Sequence, residues 1–163
     1  MKASEEKTNV MRLLSQHKIA YTTHYYADTD AVNGDEIVAV LGEDPHRTFK
    51  TLVTVGAKGE HYVFVVPVSG ELDLKKAAAA VGEKNISMLK SKDLLPLTGY
   101  VHGGCSPIGM KKFFRTVIDK TAADYETFYI SAGKIGYQVE LNVRDLEKII
   151  RFELKDIRTD EVS

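Results

Sequence analysis

The stretch Gly103-Gly104-Cys105-Ser106-Pro107-Ile108-Gly109 combines two glycines with the pattern of a helix start. Ser106 suits the N-cap of a helix, and Pro107 suits the first helical position because its missing N–H would have no partner there. The two glycines permit a tight turn and a close approach to the backbone N–H groups. We therefore predict a loop that runs into a helix and can hold an anion or a developing negative charge. An ordinary loop before a capped helix is the alternative interpretation.

Two pairs of β-rich runs, each joined by a glycine-containing loop, predict two hairpins. The first pair is Phe49–Val55 with His61–Val68, and the second is Phe128–Ser131 with Tyr137–Asn142. The second run of the first hairpin is almost continuously apolar, which indicates a central strand of a sheet. Further strands are predicted over Ile19–Tyr26, Asn85–Leu89, Thr98–His102, Thr116–Ile118 and Phe152–Leu154.

Helical spacing of apolar residues, together with capping residues, predicts the helices. These are 6–17, 35–41, 73–81 and 143–150, a helical turn over Ser91–Leu95, and a short helix after the glycine loop that carries Met110, Phe113 and Phe114. Strands outnumber helices, and the two types interleave without strict alternation. The sequence therefore predicts one compact α/β or α+β domain with a mixed sheet over residues 1–163.

The chain has 163 residues, 44% hydrophobic and 28% charged, with a formal net charge of −1. This charge provides no general basic surface, so any nucleic-acid binding needs a local basic patch or a partner that supplies positive charge. Residues 1–7 are polar and lack the apolar run of a signal peptide. The longest apolar run, Tyr62–Val68, is too short to span a bilayer. We expect a cytoplasmic protein without a membrane partner.

Cys105 is the only cysteine in the sequence, so an internal disulfide is impossible. His102 and Cys105 do not complete the ligand pattern of a structural zinc site, and we expect neither a metal nor a cofactor. Cys105 as a catalytic thiol would need a nearby base, for which His102 is the candidate. The alternative is that Cys105 is a small buried hydrophobic residue.

Lys50 lies inside a predicted strand, on the face it shares with Leu52 and Thr54 and opposite Phe49 and Val53. A cation at this position could anchor a phosphate or stabilise negative charge at the floor of a cleft. The alternative is a lysine near an open edge, with its stem packed and its ammonium in water.

The loop Ser131–Gly136 does not match the phosphate-loop pattern G-x-x-x-x-G-K-[ST], and it joins two strands instead of a strand and a helix. Its glycines indicate a tight hairpin that leaves Ser131 and backbone N–H groups exposed. A basic cluster follows the other glycine loop, and it forms either a solvated face or a contact for a nucleic-acid backbone. Its members are Lys111, Lys112, Arg115 and Lys120.

Together these motifs resemble the YbaK/EbsC family of free-standing aminoacyl-tRNA deacylases, which is related to the editing domain inserted in bacterial prolyl-tRNA synthetases. The resemblance covers nearly the whole chain. It is carried by Lys18-Ile19, Tyr26, Gly34-Asp35-Glu36, Phe49-Lys50-Thr51-Leu52, Leu72–Lys76, Thr98-Gly99-Tyr100, Gly103–Gly109 with Lys111-Lys112, Ser131–Gly136 and Glu140-Leu141.

The resemblance implies a mixed, largely antiparallel, barrel-like sheet surrounded by helices. It also implies removal of a wrongly attached amino acid, typically cysteine, from the acceptor end of tRNA for proline, with tRNA for cysteine as an alternative substrate. Catalysis would use neither a protein nucleophile nor a metal, because the thiol of the substrate attacks its own ester and forms a thiolactone. Prolyl-tRNA synthetase is an implied docking partner.

By the same resemblance, Lys50, Gly103 and Ser131 are the expected catalytic residues. Gly103 opens a G-x-x-x-P loop that Pro107 closes. The expected substrate-binding residues are Tyr26, Asn33, Thr51, Gly104, Cys105, Ser106, Gly133 and Gln138.

Three positions depart from the family pattern. Asn33 replaces an expected Phe, Gln138 replaces an expected Asp, and Cys105 replaces an aliphatic residue. The first two changes alter the polarity of the expected amino-acid pocket. A deacylase for another small amino acid such as alanine, and a non-catalytic module that binds tRNA or a nucleotide, are the alternative functions.

Overall fold

The computed structural model describes residues 6–159. Residues 1–5, which include most of the polar start, and residues 160–163 lie outside this range, so the predicted domain boundaries 1–163 remain a prediction. The strands are β1 Thr22–Tyr25, β2 Phe49–Gly56, β3 His61–Pro67, β4 Ile86–Met88, β5 Arg115–Asp119, β6 Phe128–Ser131, β7 Tyr137–Leu141 and β8 Glu153–Lys155. The α-helices are α1 Asn9–Gln16, α2 Gly34–Leu41, α3 Leu74–Val81 and α4 Ser91–Thr98.

The strands form two sheets, one of three strands in the order β1-β7-β6 and one of five strands in the order β4-β2-β3-β5-β8. All pairings of the small sheet are antiparallel, whereas β5 runs parallel to both β3 and β8 in the large sheet. The two sheets meet at the start of β2, where Thr48 forms an isolated bridge with Tyr129. The mixed, largely antiparallel α/β architecture is confirmed, but the sheets do not close, so the barrel description holds only loosely.

β3 is buried on both faces, which explains its nearly continuous apolar sequence. Val63 and Val65 pack into the larger hydrophobic core, together with residues of α1, β6 and β7. Phe64 and Val66 alternate with them and pack on the other face of the sheet, against Ala77 of α3. The predicted central position of this strand, between β2 and β5, is confirmed.

α2 begins with a capping box that also places its first turn beside the junction of the sheets. The Asn33 side chain accepts a hydrogen bond from the Glu36 N–H at 2.9 Å, and the Glu36 carboxylate accepts one from the Asn33 N–H at 3.2 Å. Such reciprocal bonds satisfy two N–H groups that a helix end otherwise leaves unpaired.

α4 does not end at Leu95, and the strand predicted over Thr98–His102 is wrong. Pro96 removes a single N–H from the helix. The last turn is nevertheless held, because the Thr98 hydroxyl donates to the Leu94 carbonyl at 2.8 Å and the Gly99 N–H to the Leu95 carbonyl at 2.9 Å.

The short helix predicted after the glycine loop is also wrong, since residues 107–114 form no helix. Gly109 has a left-handed φ of +78°, which interrupts a right-handed helix two residues after Pro107. The backbone instead forms hydrogen bonds to residues that precede the glycine loop. The Ile108 carbonyl accepts from the Tyr100 hydroxyl, and the Lys111 N–H donates to the Thr98 carbonyl. Within the described part of the chain, the loop is therefore not followed by a helix N-terminus.

The predicted helix over 143–150 is reduced to a short 3-10 helix, Asp145–Lys148, and a second one that the sequence did not predict covers Lys120–Asp124. The Asn142 side chain accepts a hydrogen bond from the Arg144 N–H at 2.8 Å, which forms a local turn just before the 3-10 helix Asp145–Lys148.

Candidate active site

A cavity of about 360 Å³ lies at the junction of the two sheets, between the start of β2, the start of α2 and the glycine loop. Eight of the eleven predicted site residues line it, namely Tyr26, Asn33, Lys50, Thr51, Gly103, Cys105, Ser131 and Gln138. The structure does not place the other three, Gly104, Ser106 and Gly133, in the cavity wall. Residues separated by more than 100 positions in the sequence therefore meet in one small cavity.

Among the residues of 6–159 that line the cavity, Lys50 provides the only lysine or arginine side chain. Its Nζ lies 3.5 Å from a carboxylate oxygen of Glu71, whose side chain is 78% exposed. The predicted face of β2 is confirmed, because Phe49 and Val53 pack into the larger core while Leu52 packs against the other core cluster. An exposed ion pair is weak, so the Lys50 ammonium can exchange Glu71 for a ligand.

The glycine loop offers backbone donors without a helix dipole behind them. Gly103 has a φ of +89°, a left-handed conformation that favours glycine. Within residues 6–159, the N–H groups of Gly103 and Cys105 have no hydrogen-bond acceptor. The Gly104 N–H differs, because it donates to the Val101 carbonyl at 3.0 Å. Gly103 is thus the loop residue in the wall that combines a free N–H with glycine geometry.

Two predicted serines have different environments. Ser131 ends β6 and lines the cavity, and its hydroxyl accepts a hydrogen bond from the Gly133 N–H at 3.1 Å. Its own hydroxyl hydrogen remains available to a ligand. Ser106 is fully buried, and its hydroxyl accepts from the Ile108 N–H at 3.2 Å, so it stabilises the turn that replaces the predicted helix.

Cys105 is 8% exposed and packs in the larger core while one side of it contacts the cavity. Burial raises the pKa of its thiol to about 12. At pH 7 only about one such thiol in 10⁵ is ionised, and the thiolate is the nucleophilic form. The interpretation of Cys105 as a small buried hydrophobic residue therefore fits the structure better than that of a catalytic thiol.

The expected pocket residues are largely buried. Tyr26 is 3% exposed, and burial raises the pKa of its phenol, which is neutral at physiological pH. The Thr51 hydroxyl oxygen is buried without a hydrogen-bond partner within residues 6–159. Asn33 lines the cavity, but its side-chain oxygen is the N-cap of α2 and is occupied by the Glu36 N–H.

Glu43 lies directly behind the cavity wall and was not among the residues predicted from the sequence. Its Oε1 accepts a hydrogen bond from Gln138 Nε2 at 3.1 Å, and Gln138 lines the cavity. Burial raises the pKa of the Glu43 carboxyl, while hydrogen bonds from Gln138 and Thr48 act in the opposite direction. No local pattern around Glu43 marks it, because its partner is 95 positions away.

The basic cluster after the glycine loop does not line the cavity. Arg115 pairs with Glu153 at 2.9 Å, and Lys112 lies over the ring of Phe114. Residues 6–159 contain no group of three or more His, Cys, Asp or Glu side chains placed to hold a metal ion. None of the helices described is long and apolar enough to cross a membrane.

Comparison with known proteins relates this chain to tRNA editing. The sequence profile described as the aminoacyl-tRNA editing domain matches residues 28–149. An Enterococcus faecalis protein with the proposed name Cys-tRNA(Pro)/Cys-tRNA(Cys) deacylase EbsC is 44% identical over 161 residues, which cover 98% of each chain. A proline–tRNA ligase of Stenotrophomonas maltophilia is 26% identical over 108 residues, which cover 64% of this chain and 19% of the ligase.

Solved structures support the fold. The structure of a proposed trans-editing enzyme for prolyl tRNA synthetase has a TM-score of 0.80 at 22% identity, and the match covers 95% of this chain and 100% of the other. A hypothetical protein has a TM-score of 0.85 at 19% identity, with 93% and 100% coverage. The resemblance inferred from the sequence motifs is confirmed. The chain belongs to the aminoacyl-tRNA editing domain family.

Proposed function

We propose that this protein is a trans-acting deacylase that cleaves the ester bond between cysteine and the acceptor end of tRNA for proline. The observation that carries the proposal is the cavity that brings Lys50, Gly103 and Ser131 together in a chain 44% identical, over nearly its full length, to a protein named as a Cys-tRNA deacylase. At about 360 Å³ the cavity suits one small amino acid and part of the terminal ribose, not a larger ligand.

The reaction needs stabilisation of the oxygen that becomes negative when the ester carbonyl is attacked. Backbone N–H groups serve this purpose when they are positioned in advance, and the free Gly103 N–H is such a donor. The Lys50 ammonium adds a positive charge in the same cavity, where it can stabilise the oxyanion or hold the terminal nucleotide.

The nucleophile in this proposal is the thiol of the substrate. Its sulfur forms a bond to the ester carbon of the same cysteine, the bond from that carbon to the ribose oxygen breaks, and the thiol proton ends on the ribose hydroxyl. The products are a thiolactone and free tRNA. Because attack is intramolecular, positioning by the cavity can supply a large share of the acceleration. The buried, un-ionised thiol of Cys105 has no role in bond making.

A deacylation panel tests the function. The protein is incubated with tRNA for proline charged with cysteine, alanine or proline, and the remaining ester is measured over time against the spontaneous rate. We expect rapid loss of the cysteine ester alone. Preferential loss of the alanine ester would identify alanine, not cysteine, as the amino acid that is removed. If no ester were lost above the spontaneous rate, the result would support a non-catalytic module.

Prolyl-tRNA synthetase is the proposed partner of the deacylase. The net charge of −1 gives the protein little general affinity for a polyanion, so a partner that holds the tRNA would compensate. The proline–tRNA ligases matched in sequence carry a related segment within one longer chain, which favours a functional link between editing and that enzyme.

A further inference from the structure

Gln138 places a buried polar group in the wall of the cavity. It lies on β7, opposite Ser131 of β6 and His24 of β1. Its side chain is 4% exposed, and its Oε1 is buried without a hydrogen-bond partner within residues 6–159. A buried carbonyl oxygen without a partner costs about 10-fold to 100-fold in the folding equilibrium, so such a group calls for a physical explanation. Glu43 Oε2 and Thr51 Oγ1 are also buried without a partner within the described residues.

Glu43 determines which way this amide faces. Gln138 Nε2 donates to Glu43 Oε1 at 3.1 Å, so the Gln138 side chain directs its NH2 group to Glu43 and its carbonyl oxygen away from it. The Thr48 hydroxyl, which shares its hydrogen with the Asp44 carbonyl, lies 3.1 Å from the same Glu43 oxygen and helps to fix the carboxylate. The orientation of the amide therefore follows from the acceptor behind it.

When Glu43 is ionised, its negative charge also affects what the amide can bind. A donor bonded to a carboxylate is polarised, which places more negative charge on the far oxygen of the amide. Within a largely buried wall this effect and the direct attraction of the carboxylate both favour a cationic donor. A cysteinyl ester has one such group next to the reacting carbonyl, the α-ammonium.

We propose that Glu43 is a positioning residue that holds the Gln138 carbonyl oxygen toward the cavity, where this oxygen accepts a hydrogen bond from the α-ammonium group of the aminoacyl ester. The inference rests on the proposed function and specifies how that site recognises its substrate. It also explains how a neutral residue at position 138 can serve a cationic group, since the charge is provided by Glu43.

The test compares cysteinyl-tRNA with 3-mercaptopropionyl-tRNA, which keeps the thiol and the ester but lacks the amino group. Rates are corrected for spontaneous hydrolysis. We expect Glu43→Leu and Gln138→Leu each to lower kcat/KM for the cysteinyl ester by about 10-fold to 100-fold, as expected for a lost hydrogen bond to a charged group, and to leave the 3-mercaptopropionyl rate within about two-fold. The double variant should be no slower than either single variant, because both remove one interaction.

Glu60→Gln is the matched control, because Glu60 is an exposed carboxylate in the β2–β3 turn. An equal loss of rate on both esters, or an unchanged preference for the cysteinyl ester, would overturn the inference. Gln138→Leu keeps the test valid if loss of Glu43 impairs folding, which circular dichroism would reveal.

A binding measurement separates this inference from the proposed function. The probes are cysteine and 3-mercaptopropionate, each linked to 3′-amino-3′-deoxyadenosine through a stable amide. The wild-type protein should bind the cysteine compound about 10-fold or more tightly than the other, and Gln138→Leu should remove the difference. A protein that shows this difference but cleaves no ester would contradict the proposed function alone. Equal affinities in the wild type would contradict this inference alone.

Discussion

Lys50 places a positive charge in the cavity, and its ammonium forms an ion pair with the exposed carboxylate of Glu71. Lys50→Ala should reduce deacylation of cysteinyl-tRNA by about 100-fold or more, as expected for loss of a group that stabilises developing charge. The free energy of unfolding should change by less than about 1 kcal/mol, because the ion pair is exposed. Rates and urea unfolding curves measure both effects.

Lys58→Ala is the control for this change, since Lys58 is an exposed lysine in the β2–β3 turn. Activity of Lys50→Ala close to that of the wild type would remove Lys50 from the mechanism. A large loss of stability would show instead that the side chain supports the fold.

Cys105 provides a second test at the scale of one residue. Cys105→Ala should retain activity within about three-fold, because the thiol stays protonated when buried and is not the nucleophile. Complete loss of activity in a folded variant would make Cys105 the nucleophile and contradict the proposed chemistry.

The same residue predicts a pH dependence of stability. The pKa of Cys105 is raised from its usual 9.0 to about 12 in the folded protein. Between these values the unfolded chain ionises its thiol while the folded protein does not, so stability is lost as pH rises above 9. From pH 8.5 to pH 10 the wild type should lose about 1 kcal/mol relative to Cys105→Ala. A constant difference would show that the thiol is not shielded from water.

Among the elements, the glycine loop contributes the proposed backbone donor. Gly103→Ala forces an alanine to adopt a φ of +89° and brings its Cβ to 3.3 Å from a methyl group of Val32. The loop should shift, and kcat/KM should fall by about 100-fold, as for loss of an oxyanion donor. Gly59→Ala is the matched control, because Gly59 has a φ of +88° and no heavy atom within 4 Å of an added Cβ.

Both variants should lose similar stability, about 1–2 kcal/mol, since both place a side chain in the left-handed region. The expected contrast is therefore in activity and not in unfolding. Equal activities of the two variants would exclude a role for the Gly103 backbone in the reaction.

The elements that could be predicted are those with local causes. Alternating and continuous apolar runs identified the strands of both hairpins, and the period of two placed Lys50 opposite Phe49 on β2. The helix after the glycine loop could not be excluded in the same way. Met110 and Phe113 have helical spacing, but the backbone there is held by Tyr100 and Thr98, whose contacts depend on the tertiary structure.

At the scale of the whole molecule, the site forms only because two sheets meet. The expected residues of the cavity could be identified individually by family resemblance, and eight of them do line it. Glu43 could not be found in this way, because nothing near it in sequence indicates Gln138. The prediction that the glycine loop runs into a helix was also wrong, since tertiary contacts hold residues 107–114 in a different conformation.

The charge of the whole molecule predicts weak binding of tRNA by the isolated protein. With a net charge of −1 we expect a Kd no tighter than about 1 μM at physiological salt. Addition of prolyl-tRNA synthetase should lower KM and leave kcat nearly unchanged, because the partner holds the tRNA and does not enter the cavity. Fluorescence titration and deacylation kinetics test this. Nanomolar binding by the isolated protein, or kinetics indifferent to the synthetase, would contradict the proposed partnership.

The central claim is that the cavity positions a substrate whose own thiol attacks the ester. The most direct test is to compare tRNA for proline charged with cysteine or with serine, and to identify the product by mass spectrometry. The two side chains differ little in size, so pocket fit alone separates them by only about 1–3 kcal/mol, whereas a thiol is a far better nucleophile than a hydroxyl. We predict a thiolactone from the cysteinyl ester and a serine reaction slower by more than about 1000-fold. Equal rates, or free cysteine without any thiolactone intermediate, would contradict the account.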